Sequence, residues 1–348
     1  MSGTGPTTTT PAAGGITPPL FWRAEDLPAW QAWQRAQWPA SRRAVDRART
    51  AARAGSALLR RRGAAAPEDL MVLLPPGRVH TLVALESFGP TQLAALARPV
   101  SALAAEDAAG IGWVLPGTVT AEQISALPGP AGLVPVPAGA QQLLTPRQAG
   151  LRRVLVAGEY LPSGRAAVRW ARERGARVGV VQHGLLAVST PPVPRDVTLY
   201  AFTARDADWW TQGRTDVRTV AVGSALLEDA RRAAPAAQRR PGHHAVAGDP
   251  AASADTPGPG VFLGQLHGAE LPRADFARAA QEYIRATGAV YRPHPAEQDR
   301  LSRAQHARWE AAGITVDRSG APLAETRGPV AAVFSTGILE AAQAGRPA

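Results

Sequence analysis

Apolar positions fall into two spacings. From residue 70 onward, short unbroken apolar runs alternate with alanine-rich stretches of helical composition. The runs Leu70–Leu74, Ile111–Leu115, Arg153–Ala157, Val178–Gln182, Leu199–Thr203 and Val217–Val222 have strand length and are bounded by glycine and proline. They are continuous instead of alternating, as strands buried on both faces read. Arg165 to Arg174 has helical composition, and Gly175 stands where such a helix would stop. Strand–helix–strand alternation predicts an α/β fold with a parallel sheet covered by helices on both sides.

The periodicity lapses over residues 231–259, which close in Pro257-Gly258-Pro259-Gly260 and predict a linker or a long loop. A second alternating series follows: strand Val261–Gly264, helix Arg273–Ala286, strand Ala289–Arg292, helix Ala296–Ala312, strands Ile314–Val316 and Val330–Phe334, and helix Gly337–Ala344. The expected organisation is a disordered tail over 1–20, a Trp/Arg-rich helical arm over 21–64, and two Rossmann-like domains, 65–230 and 260–348, facing each other across a cleft. Trp22, Trp30, Trp33 and Trp38 are expected to anchor the arm onto the body by packing.

Composition narrows the function classes. The 348 residues contain no cysteine, which excludes disulfides, thiolate metal sites and thiol catalysis. Lysine and asparagine are also absent, so every basic residue except histidine is an arginine, and lysine-based catalysis and Walker-type phosphate loops are excluded. The formal charge is +10, but nine arginines and one acid between Arg35 and Arg62 account for +8 of it. So local an excess argues against a nucleic-acid binder. The Arg35–Arg62 stretch reads as a helix that either carries a solvated arginine face or rests on an anionic membrane surface. No apolar window spans a membrane and no secretory leader is visible, so a cytoplasmic chain, in part membrane-associated, is expected.

Ligands of parallel α/β sheets bind beyond the carboxyl ends of the strands, which points to particular loops. Gln182-His183-Gly184 follows one strand; His183 is either a base for a hydroxyl nucleophile or a locally bonded histidine that holds the loop. Glu159 is a second candidate base. Arg292-Pro293-His294-Pro295 would open the helix expected at Ala296, so Arg292 and His294 flank either an anion site or a rigid turn. Ser335, Thr336 and Gly337 enter the last helix, with Glu340 one turn further in, where it could accept hydrogen bonds from ribose hydroxyls. A capping box needs its acid three residues after the cap, and neither Ser335 nor Thr336 meets that spacing. Gly264 and Gln265 end the first strand of the second series, where a nucleotide would approach closely. His243-His244 has no partner at metal spacing.

Taken in order, Gln182-His183-Gly184, Val222-Gly223-Ser224, Gly264-Gln265, Arg292-Pro293-His294-Pro295 and the Ser335-Thr336-Gly337 to Glu340 segment resemble bacterial surface- and capsular-polysaccharide glycosyltransferases of the GT-B fold. The related glycerophosphate transferases of teichoic acid synthesis share the His-Gly, His-Pro and Ser-rich elements. The resemblance covers residues 150–348. It implies metal-independent, inverting transfer of a sugar from a nucleotide-sugar donor to a glycan or lipid-linked acceptor, with no cofactor. His183 would be the base, Arg292 and His294 with Ser335 and Thr336 the holders of the donor phosphates, and Glu340 the ribose-binding acid. The family's second domain continues past the Gly-Arg-Pro segment, so this one is expected to be incomplete. Two other readings stay open: a sugar-nucleotide 2-epimerase on the same architecture, and a catalytically dead, membrane-associated scaffold.

Overall fold

The computed structural model describes residues 21–36, 43–44, 47–48, 70–129, 134–137, 150–187, 189–234, 259–267, 272–321, 323–326 and 328–348. The expected tail, most of the Arg35–Arg62 stretch, Trp38, most of the linker and His243-His244 lie outside the described residues.

Eight strands form the larger sheet: β1 (Leu70–Leu74), β2 (Thr81–Ala84), β3 (Ile111–Pro116), β4 (Val134–Pro137), β5 (Arg153–Val156), β6 (Arg177–Val181), β7 (Val197–Ala201) and β8 (Val217–Ala221). Their order is β4-β1-β3-β2-β5-β6-β7-β8. The block from β3 to β8 is parallel. β1 runs antiparallel to β3, and β4 antiparallel to β1. The expectation of a parallel α/β sheet therefore holds for the centre but not for the β1–β4 edge.

Two strands escape the pattern for physical reasons. β2 is a short Thr-Leu-Val-Ala run whose four residues are all buried, so it shows no alternation. β4 reads Val-Pro-Val-Pro, a sequence that ordinarily argues against a strand; it forms one because it sits at the sheet edge, where a missing N–H is tolerated.

Helices cover both faces of this sheet. One face packs Val154, Val156, Val178 and Val180 against α5 (Pro162–Glu173) through Ala166, Ala167 and Trp170, and against α6 (Ala204–Thr211) through Trp210. The other packs Leu73, Val83, Leu85 and Trp113 against Leu96, Ala97 and Val100 of a helical run over 90–101, whose middle, Leu93–Ala97, is wound as π-helix. With α1 (Leu27–Ala36) in the arm, that run is α2, followed by α3 (Ala105–Ala108) and α4 (Ala121–Ser125); α7 (Ala225–Ala233) follows β8. From β2 the chain moves one way, to β3, and from β5 the other way, to β6, so the connections diverge between β2 and β5. At such a switch point a crevice opens beyond the carboxyl ends.

A second, three-stranded parallel sheet has the order β10-β9-β11, with β9 (Val261–Leu263), β10 (Val290–Arg292) and β11 (Val330–Ala331). Phe262, Tyr291, Phe276, Ile284 and Trp309 bury one face beneath α8 (Arg273–Thr287) and α9 (Arg300–Ala311). Val261, Leu263, Val330 and Ala341 bury the other beneath α10 (Gly337–Gln343). The strand expected at Ile314–Val316 is a single bridge between Val316 and Tyr291, and the one expected over Val330–Phe334 stops at Ala331.

The two sheets meet through α7, which packs on α10, and through the Leu185 amide, which donates to the Thr336 hydroxyl at 3.0 Å. The arm is anchored by Trp30, 3% exposed, whose indole N–H donates to the Ser189 carbonyl at 2.8 Å. Trp22, by contrast, is exposed.

Candidate functional site

The loop after β6 is set by Gln182. Its buried side chain accepts from the Phe202 amide at 2.8 Å and donates to the Gly184 carbonyl at 3.1 Å, so it ties the turn that carries His183 to the chain just beyond β7. Gly184 is needed for closeness: a Cβ there would stand 2.8 Å from the Thr336 hydroxyl. The loop thus touches the second sheet's last helix at its entry.

His183 faces an open hollow of about 200 Å³. The larger sheet contributes Ala157, Tyr160, Gln182 and Gly184; the 185–191 segment and Trp210 supply a side wall. Trp30 and Gln34 of α1 and, from the smaller sheet, Gln265 and Phe334 complete it. Burial pushes the His183 imidazole below its ordinary pKa, a shift that the nearby Val181 carbonyl opposes. Its Nδ1 is itself buried and makes no well-formed hydrogen bond, to Val181 or to any other described residue. An uncharged imidazole is in the protonation state that general-base chemistry requires.

Gln265 and His183 are thus brought into one hollow. Gln265 accepts from the Phe334 amide and donates to the Phe334 carbonyl, each at 3.3 Å, tying the ends of β9 and β11 together. Gly264 beside it leaves room for the Tyr291 hydroxyl and the Glu297 carboxylate, which a side chain would strike.

Other expected site residues have different roles. Glu159 does not line the hollow; it pairs with Arg172 at 3.3 Å. Arg292 also lies outside the lining. Its Nε donates to Asp317 at 2.8 Å, Nη2 lies 2.6 Å from the same carboxylate, and Nη1 donates to the Ala321 carbonyl at 2.9 Å. A guanidinium held this way braces the segment after Val316 and is not presented to a phosphate. The fold at His294 corrects a second expectation. Residues 295–296 form a turn, and α9 starts only at Arg300. Its N-terminus is capped by Asp299, whose carboxylate accepts from the Leu301 and Ser302 amides at 3.0 and 3.1 Å. Burial opposes ionisation of Asp299, but hydrogen bonds from Ser302 and Arg273 outweigh it and bring its pKa to about 2. The anion position at that helix is filled by the chain's own carboxylate.

His294 stacks on His267 with ring centroids 4.0 Å apart, and its Nδ1 accepts from the Ala296 amide at 3.1 Å. Beneath it Glu297, its side chain fully buried, accepts from the Tyr291 hydroxyl, the Leu266 and His294 amides and, at 2.8 Å, meets His306 Nε2. Burial, with the Glu297 carboxylate adjoining, drives the Tyr291 phenol far above its ordinary pKa. At the entry of α10 the Ser335 hydroxyl accepts from the Gly337 amide at 3.2 Å, while Thr336 holds Leu185. Glu340 is half-buried, and burial alone raises its pKa.

Sequence reasoning missed Glu86, just beyond β2 at the switch point. Its carboxylate accepts from the Gly164 amide in the first turn of α5 at 2.7 Å. Burial raises its pKa to about 7, against the lowering effect of bonds from Gly164 and Ser163. The signal available was topological, a carboxyl at the end of a strand that went unrecognised. Trp30 was missed as a site residue because it reads as a packing anchor of the arm, and Tyr160 because it belongs to no motif.

Comparison of the chain with protein-family models, with characterised proteins and with solved structures yields no match. Among the described residues no group of three or more metal-ligating side chains is assembled, and no helix is long and apolar enough to cross a membrane.

Proposed function

We propose that the chain is a glycosyltransferase of surface-polysaccharide type. In this reading its two sheets are two Rossmann-like domains, and the hollow between them is the acceptor end of a reaction site for a nucleotide-sugar donor and a glycan or lipid-linked acceptor, with the donor's nucleotide lying outside it. The observation that carries the reading is the placement of His183, whose burial favours the uncharged imidazole, opposite the carboxyl ends of β9 and β11.

In the proposed step the acceptor hydroxyl gives its proton to the His183 imidazole as its oxygen bonds to the anomeric carbon. The bond from that carbon to the phosphate oxygen breaks, and the nucleotide leaves with the electron pair. Transfer by this single displacement inverts the anomeric centre and needs no cofactor. Trp30 and Phe334 on the walls exclude the water that would otherwise hydrolyse the donor. Donor phosphates fall to Ser335, whose own proton is free to donate while its oxygen accepts from Gly337. Glu340 keeps its assignment to the ribose. Arg292 and His294 drop out of the direct contacts. The 2-epimerase reading is less well supported because, among the described residues, His183 is the hollow's lone titratable group apart from the Tyr160 phenol, and epimerisation needs several acid–base groups around one ring.

A thermal-shift screen against CMP, CDP, UDP, GDP and their sugar conjugates tests the proposal. A ligand at a hundred times its Kd adds about 2.7 kcal/mol of stability. One nucleotide series is expected to raise Tm, and His183→Ala to keep that shift while turnover disappears. A melting temperature indifferent to all of them removes the transferase reading.

A further inference from the structure

We infer that the hollow beside His183 is a subsite for an uncharged, hydroxyl-rich ring, a neutral sugar unit, and that α1 of the arm forms one of its walls. The ligand class follows from the lining alone. The role of that ring as the acceptor's terminal unit rests on the transferase reading above.

Charge is the first argument. The chain carries 38 arginines and 28 acids, yet among the described residues none of either lines this hollow. Its histidine is held in the neutral form by burial. A uronate, a sialic acid carboxylate or a phosphate placed here would lose hydration with no countercharge to replace it. A neutral polyol meets no such penalty.

Shape and surface chemistry are the second. Tyr160 is half-buried, with its ring over Gly158, where any side chain would collide with it. The edge of the ring is braced by Trp30, with centroids 5.4 Å apart and planes at 67°. Trp30 and Trp210 are in turn immobilised, each indole N–H donating at 2.8 Å, to the Ser189 and Pro191 carbonyls respectively. A rigid aromatic wall of this kind suits the C–H face of a pyranose. Around it stand neutral groups that both donate and accept, as sugar hydroxyls require. The Gln34 side chain makes no hydrogen bond among the described residues, and Thr190, which accepts from the Ala187 amide at 2.8 Å, keeps its proton to donate. Size is the third. About 200 Å³ is below the roughly 300–1,000 Å³ that encloses a drug-sized ligand, so one ring fits and a whole nucleotide sugar does not.

The test is calorimetry or saturation-transfer NMR on the full chain with methyl glycosides of glucose, galactose, mannose and N-acetylglucosamine, set against glucuronic, galacturonic and N-acetylneuraminic acids. At least one neutral glycoside is expected to bind about tenfold or more tighter than its acidic counterparts. Tyr160→Ala is expected to weaken that binding about tenfold and Tyr160→Phe to restore it. Gln34→Ala, at a position with no described bond to lose, is expected to weaken it about threefold with Tm unchanged. Acidic sugars binding as well as neutral ones, absence of binding by every neutral glycoside, or Tyr160→Ala binding like the native chain overturns the inference. Failure of the two proposals is distinguishable. Neutral-sugar binding without any nucleotide response removes the transferase and leaves the subsite; transfer to an acidic acceptor that survives Tyr160→Ala removes the subsite and leaves the transferase.

Discussion

Two loops in this molecule each carry a histidine just beyond a parallel strand, and they have opposite fates. The one after β6 holds His183 against a hollow whose lining has no charged side chain among the described residues, with Nδ1 left without a partner there. The one after β10 is filled from beneath by Glu297 and tied sideways by Arg292 to Asp317. His294 there is stacked on His267 and takes a backbone amide. The difference lies in where the carboxylates sit. A buried carboxylate beside a loop consumes its donors and turns it into scaffold; a loop without one keeps its polar groups for something else.

That contrast is sharpest at Glu297. Glu297→Leu leaves the Tyr291 hydroxyl, two amides and His306 without their acceptor, and should destabilise the fold by about 3–5 kcal/mol in urea denaturation. Loss of less than about 1 kcal/mol would mean that the second loop is not carboxylate-built.

Glu86 is the next largest effect and depends on pH. Burial raises its folded pKa from 4.5 to about 7, so its contribution is fully present below pH 4.5 and is lost as pH rises through 7. Glu86→Gln should therefore stabilise the protein by on the order of 3 kcal/mol at pH 8 and by nothing at pH 4. Thermal melts at both values check it, and a gain independent of pH would break the assignment.

Arg292→Ala should cost about 2–3 kcal/mol of stability through the stranded Asp317 carboxylate, while the nucleotide-induced rise in Tm persists. If stability holds and the nucleotide response disappears, Arg292 belongs with the phosphates after all. The smallest effect falls on the contact between the sheets. Thr336→Val removes the acceptor of the Leu185 amide and should cost about 1 kcal/mol, with faster hydrogen exchange at Leu185.

Much of the scaffold was legible because continuous apolar runs between glycines and prolines have few other meanings. Runs at Leu70, Ile111, Arg153, Val178, Leu199 and Val217 all fall on strands, within a residue or two. Direction was not legible: nothing local in Leu70–Leu74 distinguishes its antiparallel setting from its parallel neighbours. At the site, Gln182-His183-Gly184 was readable because a small residue after a strand marks a close approach. The role of Arg292 was not, since its partner Asp317 lies 25 residues on and is brought to it by folding. The start of α9 was misplaced because Pro295 suits a first helical position as well as Asp299 suits a cap, and the Asp299 carboxylate won. Glu86 needed the strand order before it had any meaning.

The Val-Pro-Val-Pro strand has a consequence for life at high concentration. Its two prolines stand at alternate positions, so the ladder bonds to β1 must come from Val134 and Val136, and the outward side offers carbonyl oxygens but no hydrogen to donate. A stray strand from another molecule arriving at this border could form only half of its bonds. That flank is closed to sheet-by-sheet growth by the backbone itself, whatever its side chains do.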